Sequence, residues 1–168
     1  MSRKGNYQVE PGGGMTSIDS PEASLYVEGN GKRLFSGGGG LVSTARDYLR
    51  FGQMLANGGE LDGERILSRK TISLMTTSHL PDNVDMRIGG RAMFPGIVYG
   101  LGFGVIADRA AADQTTSEGS FFWGGAANTS FWVDPSEGIV GVIMTQRFPG
   151  DQPFGPELET LTYQALED

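Results

Sequence analysis

The stretch FFWGGAANTSFWVDPSEGIVGVIMTQ, Phe121 to Gln146, decides how this chain folds. Its second half reads as two strands around a turn: NTSFWVDP is rich in aromatic and β-branched residues, PSEG is turn chemistry, and IVGVIMTQ is apolar at consecutive positions. An apolar run without alternation is the mark of a strand covered on both faces. An antiparallel hairpin with its turn at Pro135 to Gly138 is therefore expected inside a sheet. Before it stands Trp123-Gly124-Gly125, two residues of bare backbone beside an indole at the mouth of a strand. Two readings fit the residues equally. Glycines there let a substrate lie against the strand and let an N–H point at a developing negative charge, or they mark a bulge or kink. Trp123 and Trp132 also read equally well as plain core aromatics.

Working outward, the next clear element is VSTARDYLRFGQMLANGG. Ala45, Tyr48, Leu49, Gly52, Leu55 and Ala56 recur at helical spacing, Thr44 with Asp47 resembles a capping box, and Asn57-Gly58-Gly59 is a stop. A shorter helix is expected after Ser68, in RKTISLMTT, with Ile72 and Met75 inward. A polar loop follows over about residues 78–97. YGLGFGVIAD alternates strictly, so one strand is expected with Tyr99, Leu101, Phe103 and Val105 on one face and Gly100, Gly102 and Gly104 on the other. Such a glycine face invites close approach by a helix or ligand. The chain closes with GPELETLTYQALED, a helix with Pro156 at its first position, acids in its first turn and a Leu158, Leu161, Thr162, Ala165 stripe. Residues 1–40 read as an irregular lead-in with one short strand near SLYVEG, a segment that lies on something larger.

Composition narrows the classes. The 168 residues suit one domain, and 38% hydrophobic with 20% charged residues is globular. Net charge is -7 and the basic residues form no cluster, which argues against nucleic acid and against an anionic membrane surface as partners. There is no cysteine and a single histidine, His79, so disulfides, thiolate metal sites and a histidine cluster are excluded. His79 reads as a solvated loop side chain. The 27 glycines sit in runs between periodic segments, where they punctuate the chain. No apolar run reaches the roughly 18 residues of a membrane-spanning helix, and a cytoplasmic location is the default expectation. Asp62, Asp134 and Glu137 stand beside Gly or Pro and read as turn residues. Nucleotide-binding glycine patterns, H-E-x-x-H, C-x-x-C, EF-hand loops and G-x-S-x-G are all missing, so no cofactor is called for.

Taken together, SGGGGLVSTARDYLRFGQMLANGGELDGERILSRKTISLM, then GLGFGV, then the opening stretch resemble the C-terminal part of the serine β-lactamase-related hydrolases, the group of class C β-lactamases, DD-peptidase-like proteins and esterases. The resemblance implies an α+β fold: a partial antiparallel sheet with flanking helices. Within a single partial domain over 1–168 it implies a lead-in at 1–40, a helical part at 41–78, and a sheet hairpin with C-terminal helix at 98–168. It also implies a serine acyl-enzyme mechanism acting on a small-molecule ester or amide. In that family an S-x-x-K helix supplies nucleophile and base, a Y-x-N loop shares proton transfer, and a third motif opens the inner strand. By the resemblance that third motif is Trp123-Gly124-Gly125, lining the substrate, and the backbone N–H of Ala126 is one of two oxyanion donors. Trp123 in place of the family's lysine favours esters over β-lactams, because an indole offers one N–H and no cation.

The other motifs are absent from this sequence. None of Lys4, Lys32 and Lys70 has a serine three positions before it, and none of Tyr7, Tyr26, Tyr48, Tyr99 and Tyr163 has Asn or Ser two positions after it. Hence no nucleophile is expected in this chain, and it reads as the distal part of a longer hydrolase, inactive alone. Its partner would be the missing N-terminal part, with self-association through uncovered sheet a further expectation. The alternatives are a non-catalytic binding module that keeps the fold and a β-rich scaffold with no site.

Overall fold

The computed structural model describes residues 6–20, 37–39, 41–81, 87–88, 91–92 and 95–167. The elements in chain order are β1 (Asn6–Val9), β2 (Met15–Asp19), α1 (Ala45–Ala56), β3 (Glu60–Leu61), β4 (Glu64–Arg65), α2 (Arg69–Met75), β5 (Arg87–Ile88), β6 (Arg91–Ala92), β7 (Ile97–Tyr99), β8 (Gly104–Ile106), β9 (Phe121–Gly125), β10 (Thr129–Asp134), β11 (Ile139–Ile143), β12 (Arg147–Phe148) and α3 (Phe154–Gln164). The fold is α+β, built on a five-stranded antiparallel sheet in the order β11-β10-β9-β8-β7.

Sheet register puts different residues on each face. Val105, Phe121, Val133 and Val140 lie side by side across four strands, and with Phe131 and Phe103 they form the core under α1 and α2, against Met54, Leu55 and Ile72. Ser130, Trp132 and Asp134 alternate to the opposite face, toward α3. Gly155 of α3 sits so close to Ser130 that a Cβ on it would fall 2.9 Å from the serine side chain, and Tyr163 Oη donates to Asp134 at 2.7 Å. Helices thus cover both faces of the sheet.

Local chemistry explains the boundaries. Thr44 Oγ1 accepts from Asp47 N–H at 3.1 Å to start α1, and Ser68 Oγ accepts from Thr71 N–H at 3.0 Å to start α2. The hairpin β10–β11 forms as expected, Ser130 opposite Ile143 through Asp134 opposite Ile139. Its turn is fixed by Asp134 Oδ1, which accepts from Ser136 and Glu137 N–H, and by Gly138 at φ 69°.

Several expectations change. YGLGFGVIAD is not one strand: Tyr99 pairs with Gly104 across a turn at residues 100–103, with Gly100 N–H donating to Phe103 O. Gly102 at φ 94° makes that turn, a conformation open to glycine, and outweighs the period-two pattern. Close approach does occur at Gly100, where a Cβ would overlap Met75 O at the end of α2. In α1, Met54 is buried at 4% exposure whereas Leu49 is 43% exposed and Ala45 is exposed; the helix meets the sheet at Gly52, tightly enough that a Cβ there would lie 2.5 Å from Val140 Cγ1. The C-terminal helix begins two residues before Pro156, at Phe154, which leaves the proline in the first turn where its missing N–H costs nothing. The lead-in holds a hairpin, β1–β2, and β1 runs parallel to β12 with Tyr7 opposite Arg147. The expected strand near SLYVEG lies outside the described residues. In the polar loop, β5 and β6 pair as a two-residue hairpin, and residues 82–86, 89–90 and 93–94 lie outside the described residues.

Candidate functional site

Trp123, Gly124 and Gly125 form the end of β9, and Ala126, Ala127 and Asn128 make the loop into β10. The loop is a three-residue hairpin connection: Asn128 N–H donates to Gly125 O at 3.0 Å, and Asn128 takes φ 60°, the left-handed position such loops require. Trp123 pairs with Phe131, so its half-buried side chain lies on the core face, and Gly125 pairs with Thr129 on that same face. Gly124 points to the other face beside Ser130.

The loop is pinned from behind. Thr145 Oγ1 donates to Ala127 O at 2.6 Å and also lies 3.1 Å from Asn128 O. Gly150 passes so near that a Cβ on it would sit 3.0 Å from Asn128 N and 3.1 Å from Gly125 O. Ala126 is exposed at the tip, and its N–H has no acceptor among the described residues. A fixed loop with a free N–H can bind an anionic oxygen without first being ordered.

Two neighbours were not legible in the sequence. Tyr99 stands against Trp123, ring centroids 5.4 Å apart at 56°, and its backbone O accepts from His79 N–H at 2.9 Å. Thr129 lies so close to Gly125 that a Cβ there would be 2.5 Å from Thr129 Oγ1. Both contacts arise from cross-strand geometry, which no local signal in the sequence announces. His79 itself stays exposed, its Nε2 2.8 Å from Leu74 O at the end of α2. Trp132 is a core aromatic on the α3 face, 3% exposed and lying over Gly141. No group of three or more His, Asp or Glu among the described residues is arranged to hold a metal ion.

On the α3 face, Asp134 is fully buried and accepts from Ser117 N–H, Ser136 N–H, Glu137 N–H and Tyr163 Oη. Burial by itself would raise its carboxyl; those hydrogen bonds, Ser117 foremost, hold it below the usual value. The same arrangement pushes the Tyr163 phenol up, through burial and then the Asp134 carboxylate. Glu159 is pushed up to about 7 by burial and by Asp134. This cluster fastens α3 to the sheet on the side away from Trp123.

An antiparallel sheet between helices is the architecture of the β-lactamase and DD-peptidase-like proteins. The beta-lactamase family model matches residues 3–164, and the chain belongs to that family. Two relatives in Mycobacterium tuberculosis, "Protein Rv1367c" and "Uncharacterized protein MT1414", are each 37% identical over 116 residues, 67% of this chain and 29% of their own length. Among solved structures the chain is similar to EstCE1, "a hydrolase with promiscuous acyltransferase activity" (TM-score 0.76, 23% identity, 95% of this chain and 43% of that one). It is also similar to simvastatin synthase LovD from Aspergillus terreus (0.74, 20%, 98% and 43%) and a penicillin-binding protein homolog from Caulobacter crescentus (0.60, 21%, 74% and 32%). The chain therefore spans 29% of the mycobacterial relatives and less than half of these structures. Among the described residues no helix is long and apolar enough to cross a membrane.

Proposed function

We propose that this chain supplies an oxyanion donor and the substrate-side wall of a serine acyl-transfer site whose nucleophile, base and tyrosine belong to a part of the hydrolase that the sequence does not span. The observation that carries the reading is the Ala126 N–H, without an acceptor among the described residues, on a pinned hairpin tip directly after two residues of bare backbone. A carbonyl laid along the Gly124-Gly125 edge would bring its oxygen toward that N–H. Attack by an activated serine would convert it to a tetrahedral oxyanion, which the N–H would stabilise better than the ground-state carbonyl. Collapse would break the ester C–O bond, expel the alcohol with the proton taken from the serine, and leave an acyl-enzyme, whose acyl group then passes to water or another acyl acceptor and frees the serine. Trp123 with Tyr99 offers an aromatic wall and no cation, which suits a neutral ester better than a carboxylate-bearing amide.

The experiment is labelling with a fluorophosphonate probe followed by intact mass. The chain by itself should take no adduct, because an oxyanion donor without an activated serine forms no acyl-enzyme. The uninterrupted hydrolase should take one, on a serine outside these residues. A stoichiometric adduct on any serine of the isolated chain would overturn the assignment.

A further inference from the structure

Behind the Ala126 N–H, the hydrogen bonds of the hairpin tip run head to tail. The Ala126 N–H belongs to the same peptide unit as Gly125 O, which accepts from Asn128 N–H at 3.0 Å. That N–H shares its own unit with Ala127 O, which accepts from Thr145 Oγ1 at 2.6 Å. Thr145 Oγ1 is in turn reached by Arg147 N–H at 3.5 Å, the longest step, and Gln146 O of that last unit accepts from Tyr7 N–H of β1 at 2.7 Å. Every donor points toward Ala126, so the peptide dipoles add and leave their positive end on its N–H, as at the start of a helix. The Thr145 hydroxyl has a single hydrogen for two carbonyls; Ala127 O at 2.6 Å is closer than Asn128 O at 3.1 Å, and only the closer one leads to Ala126.

We infer that Thr145 is a positioning residue of the acyl-transfer site: acting through two peptide units, its hydroxyl fixes the orientation of the Ala126 N–H and polarises it toward the substrate oxygen. The inference rests on the functional reading above and names a residue that never touches substrate. Thr145 lies just beyond the end of β11 at Ile143 and is half-buried, where water competes poorly for its hydroxyl. A hydroxyl suits the place because it accepts from Arg147 and donates to Ala127 at once. Serine keeps both bonds, whereas valine has the shape of threonine and makes neither. Chains of hydrogen bonds strengthen each member by about 10–30%. The gain is larger against an oxyanion than against a neutral carbonyl, so it belongs to kcat and not to KM.

The test compares Thr145→Val and Thr145→Ser in the full 168-residue chain and in the uninterrupted hydrolase. In the chain, Thr145→Val should speed amide exchange at Asn128 by about tenfold and move the Ala126 and Asn128 amide proton resonances, while Thr145→Ser leaves them near their original positions. In the hydrolase, active sites are counted with a fluorophosphonate probe, so that a poorly folded fraction lowers the count and not the turnover per site. Turnover per site should fall about tenfold in Thr145→Val with KM for a short ester unchanged, less than the hundredfold or more that follows loss of the oxyanion bond itself, and Thr145→Ser should recover most of it. Thr145→Ala, which removes the hydroxyl without setting a methyl against the carbonyls, gives the same readings if the valine form does not fold. Amides unmoved by valine, unchanged turnover per site, equal losses in the valine and serine forms, or a loss wholly in KM would each overturn the role of Thr145 while the functional reading stands. Failure of the unsubstituted hydrolase to label would overturn that reading, and the role of Thr145 with it, whatever the amides report.

Discussion

Substitution of Gly125 tests whether its bareness serves the substrate or the sheet. Alanine there puts a Cβ 2.5 Å from Thr129 Oγ1 and 3.9 Å from Thr129 Cβ. Ordinary contact begins near 3.4 Å, so the hydroxyl must swing away or the strands must part by several tenths of an ångström. Thr129 can rotate about χ1 at a cost of about 0.5–1.5 kcal/mol, whereas valine adds a second branch that rotation cannot clear. Gly125→Val should therefore displace the end of β9 and with it the Ala126 N–H. Loss of one oxyanion hydrogen bond lowers turnover by about a hundredfold to a thousandfold. The assay is hydrolysis of short and long acyl esters by the intact hydrolase, alongside urea denaturation of the 168-residue chain. Gly125→Ala should lose about 1 kcal/mol of stability, and Thr129→Ala in the same molecule should restore most of it. If the double variant regains stability but not turnover, the Cβ blocks the acyl path itself; if both return, the contact with Thr129 is the whole effect. Full turnover in Gly125→Val would refute the site assignment and leave the glycines as a strand kink.

Trp123→Ala in the intact hydrolase should chiefly change selectivity between short and long acyl esters, since an apolar wall discriminates between such substrates by about 1–3 kcal/mol; equal losses on both esters would count against a wall. Tyr163→Phe removes the phenol that donates to the buried Asp134 carboxylate and should cost the chain about 1.5–3 kcal/mol in urea denaturation, and an unchanged midpoint would show that the hydrogen bond is dispensable. Glu159 is pushed up to about 7 from its ordinary 4.5, so the folded chain holds its proton where the unfolded chain releases it. Its contribution to stability is accordingly full below about 4.5 and lost as pH rises to about 7. At about 1.4 kcal/mol per pH unit the ceiling is about 3 kcal/mol, reduced to about 1–2 by partial exposure. Glu159→Gln should flatten that slope, and an identical slope in the variant would assign it to another group. Asp134 acts in the opposite direction: its lowered value stabilises the fold at neutral pH and that contribution disappears in acid, which Asp134→Asn should abolish.

The sequence alone determined those elements whose signals are local. Thr44 and Ser68 cap helices because a hydroxyl beside the first turn satisfies a free N–H whatever surrounds it. The hairpin β10–β11 was legible because turn residues at Pro135 to Gly138 separate two strongly apolar runs. The apolar run of β11 reads as sheet interior, whereas among the described residues β11 is an outer strand paired with β10 alone. What the tertiary structure decided was pairing and approach. Period-two alternation through Tyr99 to Val105 is compatible with one strand or with two joined by a turn, and the energy that chooses lies in the pairing with Ile97, Val98 and β9 and in the packing of Gly100 on Met75. Likewise Trp123-Gly124-Gly125 reads equally as a substrate opening or as a strand kink, and its neighbours Tyr99, Thr129, Thr145 and Gly150 come from other strands and loops. Side chains brought together by a sheet share no spacing along the chain, so their meeting is a property of the fold and not of any segment of the sequence.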